Sequence, residues 1–138
     1  EQAIKQMSQC IPLTDDQRSP WVQRIYARLS ESQKNNKNCV LAYSGLKQAH
    51  REVIFSSYRN RAGVLLSADQ QLIMARLAKR SDHFMSPQLL GSQLADMEPF
   101  ENKEPLLQLS SAERVEHLLQ QLESFVSTIH ARSQTTRD

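Results

Sequence analysis

The stretch SSAERVEHLLQQLESFVSTIHA (residues 110–131) decides the predicted fold, because it holds the most regular helical pattern of the chain. Ser110 followed three residues later by Glu113 is the arrangement of a helix capping box. We therefore expect a helix that begins at about Ser111 and ends at about Ala131. Its apolar residues recur at steps of three and four residues, as in an amphipathic helix. This apolar stripe consists of Val115, Leu118, Leu119, Leu122, Phe125, Val126 and Ile129.

The same helical period recurs upstream of this stretch. Ser19 is a natural N-cap and Pro20 suits a first helical position, so a helix is expected to start there. A longer helical pattern covers residues 42–58. Ser67, with a glutamine three residues later, forms another capping box, and Ser86 with the proline after it opens a further short helix.

Strand signals are scarce in comparison. Residues 39–43 and 52–55 fit short strands as well, but helical patterns flank both runs. A chain of 138 residues is expected to form one domain, and its 3 glycines argue against a fold with many tight hairpins. We therefore predict an all-α fold, a single-domain helical bundle of about five helices with a long amphipathic C-terminal helix. The domain spans residues 1–131, and residues 132–138 form a polar, frayed tail.

Cys10 and Cys39 are the 2 cysteines of the chain, which begins at Glu1 rather than methionine. A pair of cysteines in a chain without an initiator methionine is compatible with one disulfide and an oxidising compartment. The sequence contains no apolar run long enough to span a membrane. We therefore predict an exported, periplasmic protein with a possible Cys10–Cys39 disulfide. The alternative is a cytoplasmic protein with two free thiols.

The net charge of +2 hides an uneven distribution. Residues 40–85 hold seven basic and three acidic side chains (+4), whereas residues 86–138 hold four and eight (−4). Either the two charged surfaces face each other within the fold or are solvated, or the basic one binds an acidic partner or nucleic acid. The whole chain is not basic enough to favour nucleic acid. The possible partner-binding basic face consists of Lys47, Arg51, Arg59, Arg61, Lys79 and Arg80.

A search for catalytic and metal-binding patterns finds none in the sequence. Three glycines cannot build a phosphate-cradling loop, and no serine lies in a nucleophile elbow. Glu113 and His117 share a helix face at a spacing of four residues, which indicates a surface hydrogen bond rather than a metal site. We therefore predict a protein that is not an enzyme and that has no catalytic residues, no metal and no cofactor.

Two short motifs point to a family. Residues 13–17 read LTDDQ, and residues 66–70 repeat the pattern as LSADQ. Over residues 13–85 the chain resembles the periplasmic LTxxQ proteins of the Spy and CpxP type. That resemblance implies an all-α exported protein that forms cradle-shaped dimers and acts as an ATP-independent chaperone or as a modulator of an envelope-stress sensor. The Ser/Thr-x-x-Gln pattern is also a general helix-capping device.

These observations predict a non-catalytic helical interaction protein of the bacterial envelope, an adaptor, pilot-type chaperone or regulatory partner that binds another protein. The alternative is a small cytosolic regulator that binds nucleic acid or an acidic protein through the basic face. We expect the C-terminal stripe to pack into the core. If it is exposed instead, it forms a homodimer seam or a partner groove. The residues of this possible apolar seam are Leu118, Leu122, Phe125 and Ile129.

Overall fold

The computed structural model describes residues 2–79, 89–101 and 105–135. Within these ranges it contains six helices and two strands. In chain order they are α1 (Gln2–Ser8), α2 (Asp15–Lys34), α3 (Gln48–Ser56), β1 (Gly63–Ser67), α4 (Gln70–Ala78), α5 (Leu90–Asp96), β2 (Leu106–Ser110) and α6 (Val115–Thr135).

The strands β1 and β2 form a parallel sheet, so the predicted all-α helical bundle is wrong. They pair in register from Gly63 opposite Leu106 to Ser67 opposite Ser110. Each strand is a short, nearly continuous apolar run, which is typical of parallel strands and does not alternate in polarity. Such a run cannot be distinguished from a helix segment by its period alone. Parallel strands need a long crossover, and the crossover of residues 68–105 includes α4 and α5.

The chain divides into two compact units. Unit 1 comprises residues 1–59 and 74–100, and it contains α1, α2, α3 and α5. Unit 2 comprises residues 60–73 and 101–138, and it contains the sheet and α6. This division does not test the predicted single domain over residues 1–131, which stays a prediction.

Helix α2 begins earlier than the sequence pattern predicts. The Thr14 hydroxyl accepts a hydrogen bond from the Gln17 backbone N–H (3.3 Å), and the Gln17 side chain accepts one from the Thr14 N–H (2.9 Å). This is a complete capping box, so the LTDDQ motif of residues 13–17 is the start of a helix. Ser19 is therefore not the N-cap, and Pro20 lies inside the helix, where its missing N–H removes a backbone hydrogen bond.

The predicted helix over residues 42–58 is helical only in its second half. The chain is extended or irregular from Lys37 to Lys47, and α3 follows at once. After α3, the Tyr58 hydroxyl donates a hydrogen bond to the Lys37 carbonyl. The Arg59 N–H donates another to the Gln33 side chain. These two bonds fasten the end of α3 to the end of α2.

Two predicted helix caps are the last residues of strands. Ser67 ends β1 and Ser110 ends β2, so each serine precedes its helix by more than the predicted single residue. Helix α6 also extends past the predicted end at Ala131. The cap predicted at Ser86 lies outside the described residues.

The buried apolar side chains lie mostly in unit 1. Val22 of α2 is 1% exposed, and Ile54 of α3 is also buried. In unit 1 the segment of residues 37–47 contacts α2 through Tyr43, whose ring lies 5.5 Å from the Trp21 ring. Among the described residues of α6 none is buried, so the predicted core face of this helix is only half covered. The other buried apolar residues are Leu77, Leu89, Leu90 and Leu109.

Candidate functional site

Arg51 of α3 fastens two segments of unit 1 to each other. Its side chain is buried, with the residue 4% exposed. One guanidinium nitrogen, Nη1, donates hydrogen bonds to the carbonyl oxygens of Gly45 (2.6 Å) and Leu46 (2.9 Å). The other, Nη2, donates to those of Glu98 (3.1 Å) and Pro99 (2.6 Å). The forked shape of the guanidinium allows one side chain to satisfy four carbonyl groups.

Two further contacts stabilise this buried cation. The Phe100 ring centroid lies 4.1 Å from Cζ of Arg51, a cation–π distance. The Gln48 side chain accepts a hydrogen bond from Arg51 Nε (3.2 Å). A buried charge is tolerated only where its donors are satisfied, and here carbonyl and amide oxygens satisfy them. Arg51 thus fixes the path of the chain from residue 45 to the start of α3.

The turn before α3 depends on a glycine. Gly45 has φ +60°, in the left-handed region, and a Cβ there would lie 3.3 Å from the Tyr43 ring. At the next turn, Lys47 is the N-cap of α3 but makes no capping bond with its side chain. The Glu98 carboxylate acts as the cap instead, because its Oε2 accepts the Gln48 backbone N–H at 2.6 Å. Glu98, which lies 50 residues after Gln48, therefore caps the first turn of α3.

Two cations and two carboxylates converge beside this turn, and we call Arg18, Lys47, Asp96 and Glu98 the Arg18–Lys47 network. Arg18 Nη2 lies 3.3 Å from Asp96 Oδ2, and Lys47 Nζ lies 3.9 Å from Asp96 Oδ1. Lys47 Nζ also lies 3.5 Å from Glu98 Oε1. The two cationic side chains are only 13% and 24% exposed. Arg18 pairs in addition with Asp15 within α2 (3.1 Å).

The surroundings of Glu98 favour its ionised form. The backbone N–H of Gln48 is the main cause that holds the pKa of Glu98 below its usual value, against a smaller desolvation effect. The Lys47 ammonium, 3.5 Å from the carboxylate, and the Arg51 charge lower this pKa further. Glu98 is therefore a carboxylate at neutral pH, and it can accept hydrogen bonds from a ligand as well as from Gln48.

Tyr43 brings a buried hydroxyl to the same part of unit 1. Burial raises the pKa of Tyr43, while the charges of Arg51 and Arg18 act in the opposite direction. Its hydroxyl oxygen is inaccessible to water and has no hydrogen-bond partner among the described residues. A buried hydroxyl without a partner costs stability, and a ligand reaches this one only if its surroundings move when the ligand binds.

The network offers both donors and acceptors to a polar ligand, and its two cations are already paired with three carboxylates. A guanidinium and an ammonium bind a carboxylate or phosphate, and carboxylates accept hydrogen bonds from hydroxyl groups. Within residues 2–79, 89–101 and 105–135, no group of three His, Cys, Asp or Glu side chains is arranged to hold a metal ion.

The structure places the described members of the predicted basic face in different surroundings. Lys47 belongs to the Arg18–Lys47 network and Arg51 is buried, so neither presents its charge on an open basic surface. Of the other members, Arg59 and Lys79 are exposed, Arg61 is half-buried, and Arg80 lies outside the described residues.

The other candidate residues do not contribute to this site. Cys10 is half-buried and Cys39 is exposed, and both are free thiols. His117 Nδ1 lies 2.7 Å from Glu113 Oε2, so the predicted contact is present. The residues of the possible apolar seam, Leu118, Leu122, Phe125 and Ile129, are all half-buried on α6.

Comparison with solved structures identifies the class of protein. The chain is similar to an unliganded sugar kinase from Janibacter sp. HTCC2649, with a TM-score of 0.85 and 28% identity, covering 91% of this chain and 73% of that one. It is also similar to a gluconokinase from Sinorhizobium meliloti 1021, with a TM-score of 0.82 and 25% identity, covering 99% and 77%. The fold is that of a sugar kinase.

Sequence relatives narrow this class to one family. The chain is 32% identical to the gluconokinase of Gluconobacter oxydans over 119 residues, which cover 86% of this chain and 67% of that protein. It is 32% identical to a probable gluconokinase of Mus musculus over 127 residues, covering 80% and 68%. The chain belongs to the gluconokinase family. No protein-family model matches it.

The chain spans about half the length of other relatives that it matches. It covers 51% of the thermosensitive gluconokinase of Escherichia coli, to which it is 34% identical, and 52% of a probable gluconokinase of Dictyostelium discoideum. The shared region therefore corresponds to part of each of these proteins.

Membership of this family corrects several predictions. The resemblance to the Spy and CpxP proteins is wrong, because the LTDDQ motif that carried it is an ordinary helix cap. The predicted non-catalytic adaptor or chaperone of the envelope is wrong, as is the alternative of a regulator that binds nucleic acid or an acidic protein, because the relatives are sugar kinases. The prediction that the protein is not an enzyme is wrong for the same reason.

No helix within the described ranges is both long enough and apolar enough to be a transmembrane segment.

Sequence reasoning missed the Arg18–Lys47 network because its members come from three separate elements. Arg18 lies in α2, Lys47 precedes α3, and Asp96 ends α5. A weak signal was present: basic residues dominate 40–85 and acidic ones dominate 86–138, as expected if the two surfaces face each other. The Lys47 pairs with Asp96 and Glu98 agree with that interpretation.

Proposed function

We propose that this chain provides the sugar-acid-binding part of a gluconokinase. In the reaction, a hydroxyl oxygen of gluconate forms a bond to the γ-phosphorus of a nucleoside triphosphate. The bond from that phosphorus to the bridging oxygen breaks, the nucleoside diphosphate leaves, and the hydroxyl proton is released. The observation that carries the proposal is the convergence of Arg18 and Lys47 on Asp96, next to a buried Tyr43 hydroxyl without a partner among the described residues.

The groups of the site match the groups of gluconate one by one. The carboxylate of gluconate binds to Arg18 and Lys47, whose low exposure strengthens the charge interaction. The hydroxyl groups of the sugar acid donate to Asp96 and Glu98, and one of them accepts from Tyr43. Arg51 does not touch the ligand, and it acts as a positioning residue that holds the turn on which Lys47 lies.

The nucleotide needs a second set of groups that these 138 residues do not contain. Kinases of this kind hold the phosphates with a glycine-rich loop of the form G-x-x-x-x-G-K-[ST] and neutralise them with Mg²⁺. The 3 glycines of the chain form no such loop, and the described residues offer no cluster of metal ligands. We therefore expect the chain by itself to bind gluconate but not to transfer a phosphoryl group.

The proposed activity also favours the cytoplasm as the compartment, which replaces the predicted periplasm. A kinase needs a supply of nucleoside triphosphate, which the cytoplasm provides. The free thiols of Cys10 and Cys39 suit a reducing compartment as well.

Gluconate binding to the full chain, measured by isothermal titration calorimetry, tests the proposal. We expect binding by the native chain and a loss of about tenfold to a hundredfold in affinity for Lys47→Met, because the variant loses a charge-assisted contact of about 1.5–3 kcal/mol. Sorbitol, which lacks the carboxylate, should bind more weakly to the native chain and equally to native and Lys47→Met.

The control is Arg28→Met, which removes an exposed cation of α2 paired with Glu31 (3.0 Å, with Arg28 76% exposed). It should leave gluconate affinity unchanged. The proposal is wrong if the native chain binds no gluconate, or if Lys47→Met and Arg28→Met have the same effect.

Tyr43→Phe separates a ligand contact from a structural role. Because the native hydroxyl has no partner in the described part of the chain, its removal should raise the free energy of unfolding by about 1 kcal/mol. If gluconate uses the hydroxyl, the same variant should lose about tenfold in affinity. A variant that is more stable and binds gluconate as the native chain does would exclude Tyr43 from the site.

A further inference from the structure

Trp21, the one tryptophan of the chain, lies on the same side of α2 as Arg18. Residues three positions apart are neighbours on a helix surface, and their backbones are separated by about 4.5 Å along the helix axis. Helix side chains lean toward the N-terminus of the helix, so the Trp21 ring lies over the turn that carries Arg18. Trp21 is 38% exposed. An open aromatic ring therefore adjoins one end of the Arg18–Lys47 network.

Tyr43 supports the Trp21 ring from one side. The two ring centroids lie 5.5 Å apart and the ring planes are inclined at 50°, which is a tilted arrangement within the range of favourable aromatic pairs. Tyr43 also lies close to the cations of the site, because burial raises its pKa and the charges of Arg51 and Arg18 lower it. The Tyr43 hydroxyl is closed to water, whereas part of Trp21 is open. A ligand therefore needs no movement of Tyr43 to contact Trp21.

An aromatic ring offers a sugar acid a contact that charged groups do not supply. Such an acid is polar at its carboxylate and hydroxyl groups, but the C–H groups of its carbon chain form an apolar surface. Covering this surface removes it from water, which contributes to affinity. A tryptophan ring provides a large and rigid apolar area with few rotatable bonds, so little conformational entropy is lost when a ligand covers it.

We propose that the Trp21 ring binds the carbon chain of gluconate while Arg18 and Lys47 bind its carboxylate. This inference rests on the proposed function and adds an apolar contact to it. The contact selects the class of ligand, because an acid with an extended polyol chain covers the ring and a short hydroxy acid reaches the cations only. Trp21 moves neither a proton nor the phosphoryl group, so it is a specificity-determining residue.

Quenching of the Trp21 fluorescence by acrylamide tests the contact, because the chain has 1 tryptophan and acrylamide carries no charge that the network would bind. The experiment uses the full chain with saturating gluconate, at a concentration set by isothermal titration calorimetry. We expect gluconate to lower the quenching constant by about twofold or more, since a bound ligand shields the exposed part of the residue. Glycerate, which has the carboxylate and a shorter carbon chain, should leave the constant unchanged at the same concentration.

Trp21→Leu should lower the gluconate affinity by about tenfold, because a smaller and more flexible side chain replaces the ring. Trp21→Phe keeps an aromatic ring and should lose only about twofold. The matched control is Tyr26→Leu, which removes an aromatic ring that is 37% exposed and lies on a different face of α2. It should bind gluconate as the native chain does. Urea unfolding monitored by circular dichroism checks that all three variants are folded.

Sorbitol separates a ligand contact from a structural role of Trp21. It has the carbon chain without the carboxylate, so a contact with the chain predicts the same fold loss for sorbitol and gluconate in Trp21→Leu. A tryptophan that only held Arg18 in place would lower the affinity for gluconate and leave that for sorbitol unchanged.

The outcomes for the contact and for the proposed function are distinct. An unchanged quenching constant with gluconate bound, or equal protection by glycerate, overturns the contact with the carbon chain. Equal gluconate binding by Trp21→Leu and Tyr26→Leu, or a loss confined to gluconate, overturns it as well. All four results leave the proposed function intact. A native chain that binds no gluconate in the calorimeter refutes the proposed function, and this inference with it.

Discussion

Replacing Arg51 by alanine should destabilise unit 1 more than any other single truncation of a charged side chain in the site. The guanidinium is buried and donates to the carbonyl oxygens of four residues, at 2.6 to 3.1 Å. It also packs against the Phe100 ring. Truncation removes all of these contacts together. The Leu46 carbonyl keeps the Glu98 N–H as a donor, and the other three carbonyl groups lose the Arg51 donor.

The expected magnitude follows from those contacts. Each buried carbonyl that loses its donor costs about 1–3 kcal/mol, although water that enters the vacated space recovers part of this. Loss of the cation–π contact adds about 1 kcal/mol. We expect the free energy of unfolding to fall by about 3–5 kcal/mol, which is a large part of the roughly 5–15 kcal/mol of a typical domain. Arg51→Lys should lose about 2–3 kcal/mol, because one ammonium cannot reach both segments.

Urea unfolding monitored by the fluorescence of Trp21 measures this change. The control is Arg28→Ala, which removes an exposed arginine of α2 and should change the free energy of unfolding by less than about 0.5 kcal/mol. Gluconate affinity should fall as well for Arg51→Lys, because the turn before α3 loses its fixed path. If Arg51→Ala unfolds within about 1 kcal/mol of the native chain, Arg51 does not hold the two segments together and our reasoning about the turn is refuted.

Two further predictions concern the ends of helices. Glu98 has its pKa lowered by the Gln48 N–H, so its contribution to stability is present above the ordinary glutamate pKa of 4.5 and is lost as the pH falls through the lower folded pKa. Thermal unfolding between pH 7 and pH 3 should therefore show a smaller loss of stability for Glu98→Gln than for the native chain, and an identical pH profile would contradict this assignment. Thr14→Ala should lower the free energy of unfolding by about 1 kcal/mol because it removes the capping bond to Gln17, and Thr128→Ala, in the exposed part of α6, serves as the comparison in the same urea titration. An equal effect of the two variants would show that the Thr14 cap contributes nothing of its own.

Local sequence patterns predict where most helices lie, but not which elements they contact. The capping box of Thr14 and Gln17 is visible in the sequence, yet Pro20 shifted the predicted start of the helix to Ser19. The structure keeps Pro20 inside α2, because a proline removes one hydrogen bond and a helix of 20 residues with a complete cap tolerates that loss. A complete capping box at the first turn therefore outweighs one proline inside the helix.

The sheet was missed because a parallel pair leaves no local mark. The residues that pair, from Gly63 with Leu106 to Ser67 with Ser110, lie about forty positions apart, and a short apolar run has no period that separates a strand from a helix. The serines at both strand ends also imitate helix caps, since each is followed by a helix after a short turn. The residues around Ser67 and Ser110 therefore fit a helix start as well as they fit the end of a strand.

The charges of the site were misread because sequence shows where a basic residue lies in the chain but not what it contacts. The sequence pattern places Lys47 and Arg51 together on a possible partner-binding basic face. Arg51 instead donates its hydrogen bonds to neutral carbonyl groups, and its fixed positive charge lies next to the turn. Lys47 differs, because its distances of 3.5 and 3.9 Å to Glu98 and Asp96 are longer than those of a charge-assisted hydrogen bond. Under the proposed function, the gluconate carboxylate takes up the ammonium donors at shorter range without breaking a strong bond, while Arg51 keeps the turn in place. The two basic residues therefore differ in their contacts: Arg51 holds the backbone through neutral carbonyl groups, and Lys47 pairs loosely with two carboxylates.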